Sequence, residues 1–260
     1  MRNIVTISIL ALSLLLLSSS KLEFREAYKL RTVVIDAGHG GKDIGCNGKV
    51  SHEADVALKL ALQVGGLIEK NVPDVKVVYT RKDDTFVELI DRAGIANKNN
   101  ADLFISIHLN AGPPAAYGTE TYTMGLHTSN NNLAVAKREN AVILQEDDYK
   151  EKYGGFDPNS PQSHIMFALH QSAYIENSLR FAQKVENEFK TRVGRTSRGV
   201  KQAGFLVLWK SYMPSVLIEA GFLTNPAEEK FLNDKTGQTY MASGIYRAFK
   251  EYKQELEAMN

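Results

Sequence analysis

The chain of 260 residues predicts an α/β fold, a β-sheet held between layers of helices. Three observations carry this. Short β-branched runs alternate along the chain with longer amphipathic stretches, the pattern of strands joined through helices. One run, LFISIHL at 103–109, is almost continuously apolar, the mark of a strand buried on both faces. The composition, 43% hydrophobic with 19 glycines and 7 prolines, is that of an ordinary globular chain and excludes collagen-like and low-complexity classes. A chain of this length can bury its core as one domain.

Residues 1–20 stand apart from that domain. Arg2 precedes an apolar run over 4–17, and Ser18, Ser19 and Ser20 follow it, the arrangement of a secretory signal. The run is shorter than the roughly 20 residues a membrane span needs. The expectation is a cleaved signal, export to the periplasm or cell envelope, and no stable membrane anchor after cleavage. The domain then runs over 30–256. TVVID (32–36) reads as a strand. Residues 54–70 read as a helix, because Val56, Leu60, Val64, Leu67 and Ile68 recur near a 3.6-residue spacing. VKVVYT (75–80) is a strand, and 85–99 a helix opened by a capping box of Thr85 and Glu88. After the buried strand at 103–109 come an edge strand at 119–123, a long helix at 175–191, strands at 205–209 and 215–219, and a closing helix at 239–256. Between 126 and 173 the chain is long, polar and uneven, with Gly154, Gly155, Pro158 and Pro161 in its middle. It reads as an insertion over the domain surface, of a length uncommon unless functional.

Lys and Arg number 31 against 30 Asp and Glu, a net charge of +1, which argues against a nucleic-acid binder relying on an overall positive field. The single cysteine, Cys46, excludes an internal disulfide. No GxGxxG, GxxxxGK[ST] or GxSxG motif occurs, so nucleotide binding and serine-hydrolase chemistry fall away. What remains is a set of histidines and carboxylates at strand ends. His39 follows TVVID in the run DAGHGG, His108 ends LFISIHL, and Glu219 ends SVLIE. In open α/β sheets ligands bind beyond the carboxyl ends of the strands, so three strands deliver these groups to one crevice. Two histidines there suggest a metal, and catalytic zinc takes three protein ligands, His₂Glu among the familiar sets, with one position open. The third ligand is Glu53, at the start of the helix after the glycine-rich loop, or its neighbour His52. Asp36 and Asp43 are placed to hold His39 in one tautomer. Arg81 and Arg92 read as ion-pair partners of Asp83, Asp84 or Asp102, and His127, His164 and His170 as surface or packing residues. A Cys46–His39 hydrolase is the alternative, and it explains fewer of these residues.

The stretches VVIDAGHGGKDIG (33–45), SHEADVAL (51–58), ISIHLNA (105–111), GTETYT (118–123) and KQAGFLVLWKSYMPSVLIEAGFLTN (201–225), with the EE pair that follows, resemble the zinc-dependent N-acetylmuramoyl-L-alanine amidases of bacterial cell walls. The resemblance covers the chain beyond residue 20 nearly end to end. It implies a single-domain α/β fold, a mixed, twisted sheet flanked by helices on both faces. It implies one Zn²⁺ ion held by His39, Glu53 and His108, and Glu219 as the catalytic carboxylate that takes a proton from water and passes it to the departing amine. The implied substrate is peptidoglycan, cut at the amide between N-acetylmuramic acid and L-alanine of the stem peptide. Residues 170–189 are similar to the cell-division branch of the family, in which a helix of the insertion covers the zinc until an activator protein moves it. That similarity places such a helix at 133–149, with Glu146, Asp147 and Asp148 at its end. The alternative functions are a zinc peptidase acting on wall peptides and a non-catalytic wall-binding regulator; the latter would lack a ligand or Glu219, and none is missing.

Overall fold

The computed structural model describes residues 28–127, 129–168 and 173–259; the expected signal at 1–20 lies outside them. Among the described residues, six strands and eight α-helices follow in chain order: β1 (Thr32–Ala37), α1 (Glu53–Asn71), β2 (Lys76–Tyr79), α2 (Leu89–Lys98), β3 (Leu103–Asn110), β4 (Thr119–Met124), α3 (Asn130–Asn140), α4 (Tyr149–Lys152), α5 (Pro161–Ala168), α6 (Ile175–Glu188), β5 (Ser197–Ala203), β6 (Ser215–Phe222), α7 (Pro226–Asn233) and α8 (Lys235–Ala258). The strands form one sheet in the order β2-β1-β3-β6-β4-β5. All neighbours are parallel except β4, which runs antiparallel to β6. The expected mixed sheet between helical layers is thus the observed one.

Strand alternation divides the core in two. Val33, Ile35, Leu103, Ile105, Val216 and Ile218 face one side, where α1, α6 and α8 cover them. On α1, Val56, Leu60, Val64 and Ile68 are buried, each contributing about 1.5–3 kcal/mol. Gly65 interrupts that stripe because a Cβ there would overlap the Tyr79 ring. Val34, Phe104, Leu217 and Tyr122 face the other side. There the covering layer is the segment at 126–173, which contributes Val135, Ala136, Val142, Ile143, Tyr153 and Phe156 to the core. The expectation of a surface insertion is corrected here, because among the described residues the segment supplies six of the twenty buried residues of the second core.

Other boundaries shift for local reasons. The strand at 119–123 is not an edge, since β5 pairs outside it. The run at 205–209 is a 3-10 turn over Leu206–Leu208, fully within the second core. The helix expected from residue 85 begins at Leu89, without the capping box. Its first amides are met from the insertion instead: Leu89 N–H donates to Glu146 Oε1 (3.0 Å), Ile90 N–H donates to the Tyr153 hydroxyl (3.0 Å), and that hydroxyl donates to Glu146 Oε2 (2.8 Å). Exposed helix N-termini need such acceptors. The far end of α3 is pinned as firmly. Buried Asn140 donates to the carbonyl of Gly204 (2.7 Å), accepts from Leu206 N–H (2.9 Å) and lies 3.4 Å from His164 Nδ1. His164 Nε2 in turn meets the carbonyl of Pro158 at 3.0 Å.

Candidate metal centre and active site

The chain leaves β1 through Gly38-His39-Gly40-Gly41. His39 has φ 59°, a left-handed conformation that costs a non-glycine residue about 1 kcal/mol or more. Two buried arginines hold this turn. Arg92 donates to the carbonyls of Ala37 (2.7 Å), His39 (2.8 Å) and Val87 (2.9 Å), and to Asp36 Oδ1 (2.9 Å). Arg81 donates to the carbonyls of Ala37 (2.9 Å), Gly38 (2.7 Å) and Ala54 (2.8 Å). The arginines therefore brace the loop, correcting the expected ion pairs; Asp102 instead accepts from Tyr28 and from the amides of Arg31 and Thr32. Asp36 likewise does not reach His39. Burial alone would raise its carboxyl, but Arg92, Ser106 and Thr80 outweigh that and hold it below the usual carboxylate range. Such a group contributes stability above its unfolded pKa, lost as pH falls through the lower folded value. Replacing Arg92 by Met strands the Asp36 charge. We expect a loss of about 3–5 kcal/mol, read as a lowered urea midpoint at unchanged slope.

Asp43 does hold His39, with Oδ2 2.7 Å from Nδ1, so Nε2 faces inward. The His108 ring packs where a Cβ on Gly38 would stand, so that position admits only glycine. Glu53 is the first residue of α1 and is fully buried. Its Oε1 accepts from Leu109 N–H and its Oε2 from Cys46 N–H, both at 2.9 Å. His52 is exposed and bonded to Asn47. The geometry thus brings Glu53, not His52, to the two histidines.

A fourth side chain joins them that sequence reasoning missed. Glu139 of α3 points Oε2 to 3.2 Å from His39 Nε2 and 3.0 Å from His108 Nδ1. Glu53 Oε1 lies 3.0 Å from His39 Nε2 and 3.2 Å from His108 Nδ1, and the two ring nitrogens are 3.2 Å apart. Corners of a tetrahedron about 2 Å from its centre are about 3.3 Å apart, which is the spacing of a four-coordinate zinc site. Glu139 Oε2 and Glu219 Oε2 are buried without a hydrogen-bond partner. Buried acceptors left so are costly, and a divalent cation answers the cost. The set His39, Glu53, His108 and Glu139 therefore fits a metal ion.

Burial disfavours charge on both imidazoles, yet the neighbouring carboxylates prevail. His108 is pushed up to about 9 by Glu139 and Glu53, and His39 is raised well above its ordinary value by Glu53, its bond to Asp43 and the nearby Glu139 carboxylate. At neutral pH the metal-free site is protonated, whereas a metal takes neutral imidazole. Loading zinc at pH 7 is expected to expel about two protons, and affinity to fall as pH drops. Calorimetry in two buffers of different ionisation enthalpy measures this.

Glu219 is the register partner of His108 on β3 and of Glu120 on β4. Burial and the charge of Glu139 push its carboxyl well above the ordinary range. Its Oε1 meets Arg138 Nη2 at 3.2 Å, and Arg138 also reaches Glu139 (2.9 Å) and Asn110 Oδ1 (3.2 Å). The helix expected at 133–149 is corrected on two counts. It ends at Asn140 and gives way to a 3-10 turn over Ala141–Gln145. The residues it presents to the site are Arg138 and Glu139, while Glu146 caps α2 and Asp147 and Asp148 are exposed.

The sequence profile of the N-acetylmuramoyl-L-alanine amidases matches residues 33–251. The chain is 34% identical over 230 residues to the N-acetylmuramoyl-L-alanine amidase AmiA of Escherichia coli K12, covering 87% of this chain and 77% of AmiA. It is 34% identical over 223 residues to the amidase AmiC of Escherichia coli O6:H1, covering 85% of this chain but only 52% of AmiC, so it spans about half the length of that relative. The crystal structure of an N-acetylmuramoyl-L-alanine amidase from Clostridium difficile 630 superposes with a TM-score of 0.64 at 30% identity, over 86% of this chain and 97% of that one. The chain belongs to the N-acetylmuramoyl-L-alanine amidase family, and the fold and the peptidoglycan amidase function expected from its motifs accord with that membership.

Proposed function

We propose that the chain is a zinc-dependent peptidoglycan amidase whose resting form is closed by its own segment at 126–173. The observation that carries this is the convergence of His39, Glu53 and His108 beside Glu219, with Glu139 in the fourth corner. A zinc ion held there supplies Lewis-acid polarisation of the scissile carbonyl and acidifies water toward neutrality. The protein's residues do the rest. Asp43 orients His39, and the amides of Leu109 and Cys46 fix Glu53. Glu219, the catalytic residue in this reading, accepts the proton of the attacking water and returns it to the departing L-alanine amine. Its place beside His108, outside the group of metal-binding residues, suits a group that must hold that proton between the two steps.

In the closed form Glu139 takes the open position and Arg138 engages Glu219, so both must leave before substrate enters. A protein activator acting on this segment is the partner we infer. The chain is read as exported, with residues 1–20 as signal; among the described residues no helix is long and apolar enough to cross a membrane. The test uses the Glu139→Ala protein on purified peptidoglycan. One zinc per chain, loss of cleavage on chelation, recovery with zinc, and new amine ends on L-alanine are expected. Amine ends elsewhere in the stem would identify a peptidase instead. Intact activity after complete zinc removal would reject the metal.

A further inference from the structure

Beside the centre lies a cavity of about 610 Å³, bounded by Asn110, Gly112, Glu120, Arg198 and Phe222 and roofed by Arg138 and Ala134 of α3. It continues a row of side chains across the sheet. His108 on β3, Glu219 on β6 and Glu120 on β4 are successive register partners. Between the pairs Thr119–Ser197 and Thr121–Val200 the β4–β5 register slips by one residue, and Arg198 falls beside Glu120. The row therefore reads metal ligand, proton acceptor, carboxylate, cation.

Glu120 in this row is shared by two cations. Arg198 Nε and Lys201 Nζ both meet one oxygen of Glu120. The other oxygen accepts from the Tyr122 hydroxyl (2.6 Å) and Asn110 Nδ2 (3.1 Å). Two cations share one carboxylate whose other oxygen is already engaged, and of the two Arg198 lines the cavity. The Arg198 guanidinium lies over the Phe222 ring, 5.1 Å from its centroid, and the side chain is 38% exposed. Stacking fixes its plane, the arrangement in which arginine receives a carboxylate through paired N–H groups.

Reach decides which carboxylate. Strands are about 4.8 Å apart, so β5 lies about 10 Å from β6, and the long Arg198 side chain leans back toward Glu120. Two residues of extended peptide span about 7 Å. A group on the second residue of the stem, counted from the scissile amide at Glu219, falls under the guanidinium. The first residue, alanine, offers no charge. We propose that this cavity is the stem-peptide subsite and that Arg198 selects stems whose second residue carries a free carboxylate over those in which it is amidated. This rests on the amidase reading above.

The test compares two synthetic N-acetylmuramoyl peptides, identical except for carboxylate or carboxamide on the second residue, in the zinc-loaded Glu139→Ala protein. We expect kcat/KM to favour the carboxylate by about 10–100-fold, as a charged hydrogen-bond pair does. Arg198→Gln should lower kcat/KM for the carboxylate and leave the carboxamide within about threefold, and Arg198→Lys should retain part of the preference. The ratio within one protein is insensitive to partial misfolding. Equal use of both peptides, or an equal loss on both in Arg198→Gln, overturns the subsite and leaves the amidase standing. Cleavage of neither peptide overturns both readings.

Discussion

Glu219→Gln is expected to keep its zinc and to lose about 10²–10⁴-fold in hydrolysis of peptidoglycan, measured as amine release in the Glu139→Ala background. Glutamine has the shape of glutamate and still offers an acceptor to Arg138, so the strand and its neighbours need not move. What it lacks is a site for the proton. Because Glu219 is not one of the four atoms gathered around the metal position, zinc content should be unchanged. The change also removes a carboxyl whose charge burial already disfavours, so the thermal midpoint should not fall. A variant that keeps activity within tenfold would take the proton relay away from this residue.

Glu139→Ala alone should do the opposite and raise hydrolysis in the absence of any activator. A latch of about 3 kcal/mol leaves under about 1% of molecules open, so releasing it should raise the rate by about two orders of magnitude. Three protein ligands remain after the substitution, the number a catalytic zinc site uses, and zinc content should stay at one per chain. A point substitution is the right probe. Deleting the segment would strip Val142, Ile143, Tyr153 and Phe156 from the second core and Glu146 from the N-terminus of α2, confounding release with unfolding. Unchanged activity with zinc retained would reject the latch.

Strand ends made most of the site legible. TVVID, LFISIHL and SVLIE are apolar enough to be recognised as buried, and a polar residue at the end of each is conspicuous for that reason. Asp43 was recoverable because its partner lies four residues away. β5 was not, because SRGVKQA is a half-exposed edge strand whose polar residues hide its alternation. The turn at Leu206–Leu208 misled in the other direction: three buried apolar residues look alike in a strand and in a buried 3-10 turn. Glu139 gave the least signal. It sits in NNNLAVAKREN, a helix whose composition suggests a solvated surface, and its burial is set by contacts with His39 and His108, which lie 100 and 31 residues away in sequence respectively. Polar residues that bury themselves against other polar residues carry no hydropathy pattern. The length of the segment and the similarity of 170–189 to the cell-division branch pointed to the region, but not to this residue.

The clamp at Asn140 has a consequence for timing. α3 ends in three buried partners, and the chain beyond it is packed into the sheet through Val142 and Ile143. A segment held in this way stays tethered to the sheet when its latch is released. Reclosure is then a first-order process at an effective concentration of order millimolar or above, indifferent to dilution. Cutting would cease as soon as whatever holds the helix aside departs, with no inhibitor to recruit. Under the proposed latch, hydrolysis of the wall would be confined to the places and moments at which such an activator touched the enzyme.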